Sequence, residues 1–258
     1  RQLAVGQRVD LVYDFALPPL LLHTLYTGRA DALRRWLDVR PTNAVTVLDT
    51  HDGIGVIDVG ADQIGDRRSG LLTPEEIDAL VDGIHSHSGD ESRHASGWSA
   101  SNVDVYQVNC TYYAALGADD DAYLLARAVQ FFTPGIPQVY YVGLLAGGND
   151  MELLARTGVG RDINRHHFTR AEIDGELGRP VVRALADLIR LRNSHPAFQG
   201  TFEVTGQGSE LVMRWTNQDA SATLAADVAA PSARITTTDG SGRVVVCDDL
   251  LTGSSVLS

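Results

Sequence analysis

The sequence predicts an α/β protein: half of an α/β barrel, broken by an inserted subdomain and followed by a small all-β domain. Three observations carry this. A strand–helix–strand rhythm over residues 1–53 returns over 118–197. Between them, 54–117 is rich in Gly, Ser and His and carries a single clear helical pattern. From 198 to 258 the chain becomes a series of short β-branched runs parted by Gly, Asn, Asp and Pro, which reads as a sandwich-like module.

Taken in order, Arg8 to Phe15 alternates enough to form a buried strand. Pro18 and Pro19 suit a first helical turn, and Leu20, Leu21, His23, Thr24 and Leu25 recur at helical spacing until Gly28. A second helical piece covers about 30–37, and Arg40-Pro41-Thr42-Asn43 is a turn cluster. Val45, Thr46, Val47 and Thr50 then favour a strand that ends in His51-Asp52-Gly53. In the insertion, Thr73-Pro74-Glu75-Glu76 is in capping-box order ahead of Ile77, Leu80, Val81 and Ile84. Asp119, Asp120 and Asp121 open a helix through Phe132, where negative charge complements the helix dipole. Gln138 to Val142 reads as a further buried strand, and a last long helix runs from Pro180 to about Asn193.

Composition narrows the function classes. Thirty-three acidic against 21 basic side chains give a formal charge of −12, which argues against nucleic acid and anionic membranes as main partners. The longest apolar runs contain prolines and fall short of the roughly 20 residues that cross a bilayer. No basic segment followed by an apolar one marks a signal peptide, and the two cysteines, Cys110 and Cys247, have no metal or disulfide spacing, so a reducing cytoplasm suits the chain.

Three stretches are candidates for chemistry, each with a plain alternative. His51 and Asp52 stand at a strand's carboxyl end, where barrel enzymes keep their reactive groups; a polar turn before Gly53 explains them equally. Ser101 to Asn109 alternates polar with apolar residues, as a ligand-facing or simply exposed loop does. Arg161, in the run to Arg165, can bind hydroxyls or make surface ion pairs. The spacing of His85 and His87 suggests a metal, but no carboxylate or Cys framework supports one, and these two, with His94, His166 and His167, read as structural.

Five runs make the chain similar to a known family: Val12-Tyr-Asp-Phe-Ala-Leu-Pro-Pro19, Thr46-Val-Leu-Asp-Thr-His-Asp-Gly-Ile-Gly55, Ser101-Asn-Val-Asp-Val-Tyr-Gln-Val-Asn109, Pro134-Gly-Ile-Pro-Gln-Val-Tyr-Tyr141 and Gly160-Arg-Asp-Ile-Asn-Arg165. Over nearly its whole length the chain resembles the carboxyl-terminal half of the sucrose phosphorylases, a branch of the α-amylase family (glycoside hydrolase family 13). The resemblance implies that the chain is the carboxyl-terminal part of a (β/α)8 TIM barrel in which the His51-Asp52 strand is the seventh and the Gly135 to Tyr141 strand the eighth. It implies reversible phosphorolysis of sucrose to α-D-glucose 1-phosphate and D-fructose by a retaining double displacement, with inorganic phosphate as co-substrate and no cofactor or metal. The family's nucleophile and acid/base belong to the fourth and fifth strands, upstream of the matched stretch, so neither is in this chain.

Residue by residue, Asp52 matches the third carboxylate, a transition-state stabiliser, and His51 binds the same sugar. Arg161 matches a residue directed at the glucosyl ring. Asp104, Val105, Tyr106 and Gln107 match a mobile acceptor loop that serves fructose and phosphate in turn, although Val103 and Val105 stand where the family more often has Leu. The expected ligands are therefore sucrose, fructose, glucose 1-phosphate and phosphate, and a homodimer is left open. Other readings are a phosphorylase of glucosylglycerate, glucosylglycerol or sucrose 6-phosphate, an α-glucosidase-type hydrolase, or a fragment without activity.

Overall fold

The computed structural model describes residues 9–60, 70–95 and 107–257. Strand β1 (Val12–Asp14) leads into helix α1 (Leu17–Thr27), which has proline in its first turn and ends on Gly28. Gly28 adopts φ +65°, a left-handed conformation that suits glycine. Helix α2 (Asp31–Val39) returns the chain to strand β2 (Ala44–Thr46). The two strands are parallel, with Val12, Tyr13 and Asp14 opposite Ala44, Val45 and Thr46.

Strand β3 (Ile54–Gly55) opens the stretch that the sequence suggests is an insertion. It contains helix α3 (Pro74–His87), short helix α4 (Glu91–His94) and strand β4 (Gln107–Val108), which pairs antiparallel with β3. The Thr73 hydroxyl accepts from Glu76 N–H and the Glu76 carboxylate accepts from Thr73 N–H, so α3 starts with the capping box its sequence predicts. After helix α5 (Tyr112–Ala115), helix α6 (Asp120–Phe132) is capped by Asp119, whose carboxylate accepts from Ala122 N–H.

One expectation fails next. The strand predicted over Gln138 to Val142 is instead strand β5 (Ile136–Pro137), followed by one helical turn, α7 (Tyr141–Leu144). An apolar run this short buries its side chains in either form, and periodicity does not separate them. The turn closes through Leu144 N–H on Tyr140 O and buries Val142. β5 still takes its place beside β2, giving a parallel sheet in the order β1-β2-β5. Helices α8 (Met151–Thr157), α9 (Arg170–Glu176) and α10 (Pro180–Ser194) follow.

The last region departs from the sandwich its sequence suggests. β6 (Thr201–Thr205), β7 (Glu210–Asn217), β8 (Ala220–Asp227), β9 (Ser232–Thr238) and β10 (Val244–Cys247) form one antiparallel meander. Its inner face, with Leu211, Met213, Trp215, Ala222 and Leu224 buried, packs on α6 and not on a second sheet. Helix α11 (Leu250–Gly253) closes the chain against α6 and α10. Barrel helices and sheet thus share one continuous apolar core. At the seam, the Trp215 indole donates to Phe132 O at 2.7 Å, and the Arg192 guanidinium lies over the rings of Phe198 and Trp215.

Candidate active site

β2 runs on through Val47 and Leu48, both buried, and delivers Asp49 to Gly53 at its carboxyl end. Asp52 stands at the centre of a charged group. Arg161 Nη1 lies 2.9 Å from Asp52 Oδ1, Arg165 Nη2 lies 3.9 Å from the same oxygen, and His51 Nε2 lies 3.5 Å from Oδ2. Both arginines come from a 3-10 turn, Gly160–Asn164, and the residue after it.

That turn also grips the main chain. Asn164, 3% exposed, donates its amide to the carbonyls of Thr50 at 3.2 Å and Asp52 at 3.0 Å. Arg165 Nε donates to His51 O at 2.8 Å. Three consecutive carbonyls are thereby fixed by one loop, so the Asp52 backbone has little freedom to turn. The loop itself is stapled by His166, whose ring nitrogens meet Asp150 at 2.6 Å and Glu172 at 3.5 Å. Burial would raise the Asp150 carboxyl, but the Leu153 N–H and His166 outweigh it and hold it below the usual carboxylate range.

Beneath the site lies a buried network. Arg127 is fully buried and pairs with Asp49 Oδ2 at 2.6 Å. Its other nitrogens donate to Tyr123 and Gln130, and the Gln130 amide donates to the carbonyls of Thr46 and Gln138 at 2.9 Å each. Burial opposes the charge on Arg127, but Asp49 and Tyr123 outweigh it and keep the guanidinium protonated. The network locks β2 to the segment after β5, and Gly143 makes room for it: a methyl there would overlap both Asp49 and Arg127.

A cavity of about 230 Å³ opens over these groups, lined by Phe15, Asp49, Asp52, Asp58 and Gln107 among others. A larger one, about 380 Å³, lies between α1, α2 and α3 and includes none of the charged groups around Asp52. The larger cavity has charged groups of its own in Arg29, Asp31, Arg35 and Glu76, but none of its lining residues comes from the carboxyl end of β2, where barrel enzymes place their reactive groups. The structure brings His51, Asp52 and Arg161 together. Gln107 stands across the turn, its amide donating to Gly53 O at 3.3 Å. Asp104, Val105 and Tyr106 lie outside the described residues.

No protein-family model matches the chain. It is 64% identical over 215 residues to a sucrose phosphorylase of Agrobacterium vitis, covering 83% of this chain and 44% of that protein. A sucrose phosphorylase of Bifidobacterium adolescentis is 56% identical over 225 residues, covering 87% of this chain and 45% of its own length. Among solved structures, the sucrose 6F-phosphate phosphorylase of Thermoanaerobacter thermosaccharolyticum superposes with a TM-score of 0.82 at 38% identity, covering 95% of this chain and 49% of that one. The chain belongs to the sucrose phosphorylase branch of the α-amylase family. It spans about half the length of the relatives it matches and is the carboxyl-terminal half of their (β/α)8 barrel together with its β-sheet domain.

Within this half-chain, sequence reasoning singled out none of Asp49, Arg127, Asn164 and Arg165. Arg127 had left a signal, because it sits among Leu124, Leu125, Ala126, Ala128 and Val129 on a helix with every side chain from Ala122 to Phe132 buried. A lone cation in such a helix calls for a buried anion. Asn164 lies in one of the five runs, but nothing there marks its role, which is to reach carbonyls more than 100 residues away.

Proposed function

We propose that the chain is the carboxyl-terminal half of a glucosyltransferase that reversibly phosphorolyses sucrose to α-D-glucose 1-phosphate and D-fructose. The observation that carries this is Asp52, fixed at the end of the second sheet strand between Arg161 and the Asn164–Arg165 clamp, in a chain 64% identical to a sucrose phosphorylase. In a retaining reaction one carboxylate attacks the anomeric carbon while a carboxylic acid protonates the leaving oxygen. Both groups belong to strands upstream of those present here.

The third carboxylate has the remaining task, to grip the sugar harder as positive charge develops on the ring. Asp52 Oδ1 and Arg161 Nε are both buried without an aligned hydrogen bond among the described residues. In our reading they supply an acceptor and a donor for glucosyl hydroxyls, with His51 on the same sugar. Gln107 serves the acceptor side, together with Asp104, Val105 and Tyr106, whose part rests on the resemblance alone. Phosphate is the only co-substrate this reading requires, with no metal or organic cofactor. Two buried free thiols, Cys110 and Cys247, suit a cytoplasmic setting.

The test joins the chain to the amino-terminal half of the Agrobacterium vitis relative and incubates the product with sucrose, with and without phosphate. Glucose 1-phosphate formed only with phosphate is the expected result. Free glucose released at the same rate in both would make the enzyme a hydrolase. The isolated 258-residue chain should turn over nothing.

A further inference from the structure

Asn164 and Arg165 hold the Asp52 main chain, and a single residue, Asp150, holds both ends of the arc that carries them. Its N–H donates to Ile163 O at 2.7 Å, and its Oδ2 lies 2.6 Å from His166 Nδ1. Its other oxygen accepts from Leu153 N–H at 2.7 Å and caps α8. Residues 163–166 are thus closed on the start of a helix. His166 carries the closure on to a second helix, because its Nε2 lies 3.5 Å from Glu172 Oε1, while Glu172 Oε2 accepts from Thr169 N–H in the capping box of α9. The ring meets Phe168 edge to face with centroids 4.5 Å apart, and the Tyr141 hydroxyl, from α7, donates to His166 O at 2.8 Å.

Both acidic partners are anions at neutral pH. The Thr169 N–H, then the Thr169 hydroxyl, hold the Glu172 carboxyl below the usual carboxylate range, as the Leu153 N–H and His166 hold that of Asp150 against burial. A ring with N–H on both nitrogens donates to both at once. We propose that His166 is a positioning residue, which closes the 163–166 arc on the starts of α8 and α9 and so sets where Asn164 and Arg165 hold Asp52. His166 does not line the cavity over Asp52, so its effect passes through the clamp. The inference rests on the function proposed above and deepens it: a carboxylate that acts as charge develops on the sugar ring is felt in the transition state, so its displacement lowers kcat more than it raises KM.

The experiment uses the joined enzyme. His166→Gln keeps one amide donor and loses the second arm of the bridge. kcat for sucrose should fall at least about tenfold, inside the ~10²-fold that a misplacement of about 1 Å costs, while KM moves less than about twofold. In an Asn164→Ala background the same substitution should cost nothing further, because the clamp it acts through is gone. Arg170→Gln, on exposed α9 and paired only with Asp174 among the described residues, should leave kcat unchanged. Circular dichroism checks folding; if His166→Gln unfolds, Glu172→Gln, which keeps an acceptor for the Thr169 N–H, takes its place. An unchanged kcat overturns the proposal, as does a loss confined to KM or a full further loss on top of Asn164→Ala. Glucose released equally with and without phosphate would remove the phosphorylase reading, and the same dependence of that release on His166 would leave the positioning role standing. If the joined enzyme consumes no sucrose, hydrogen exchange decides: the amides of residues 50–53 should exchange at least about tenfold faster in His166→Gln, and equal exchange overturns the role.

Discussion

Asp52 shares its oxygens with two arginines and a histidine, and its main chain is held by Asn164 and Arg165. In the joined enzyme, Asp52→Asn keeps the shape and removes the charge, so turnover should fall by at least ~10²-fold, as loss of a preorganised transition-state group does; steady-state phosphorolysis near normal would discard the role. A second residue sets acid stability. His85 is buried against Ser92, its Nδ1 2.6 Å from the hydroxyl. Burial, then Arg93, pulls it below 6.5 against the opposing pull of Asp82 and Asp90. Between that lowered value and 6.5 the unfolded chain binds more protons than the folded one, so stability should drop as pH is lowered through this window. Melting temperatures from pH 7.5 to 5 test this, and His85→Gln should flatten part of the fall. At this scale the meeting of His51, Asp52 and Arg161 was legible, because the runs that contain them stood out in the sequence. Asn164 was not, because a side chain that caps remote carbonyls leaves no local pattern.

Elements were legible where their ends carry chemistry. The α3 capping box, the Asp119 cap and the proline starts of α1 and α10 all appear as written in the sequence. The helical turn α7 was missed because four apolar residues fit strand and helix alike. The meander was mistaken for a sandwich because alternation shows that one face is buried, not what buries it. The joint between β2 and α7 makes a sharp prediction. Gly143→Ala would drive a methyl into the Asp49–Arg127 pair. Separating a buried ion pair costs about 3–5 kcal/mol. Denaturant unfolding of the joined enzyme should show a loss on that scale, and a loss under about 1 kcal/mol would mean the network yields easily.

For the whole molecule, the barrel helices and the terminal sheet share one apolar core, to which α6 and α10 both belong. No helix of the described residues is long and apolar enough to cross a membrane. The reaction proposed requires phosphate and no metal, so exhaustive dialysis against EDTA should leave phosphorolysis by the joined enzyme unchanged; a loss restored by a divalent cation would contradict that. Trp215 offers a way to watch that core hold together. It sits at the seam, bonded to Phe132, ringed by Phe198 and Phe202 and covered by Arg192. The other two tryptophans, Trp36 and Trp98, lie elsewhere in the chain. With both replaced by Phe, the emission colour of the remaining indole becomes an optical gauge of the seam: a red shift that precedes loss of helical ellipticity would report the sheet peeling away before the barrel melts, and coincident curves would show that neither outlives the other.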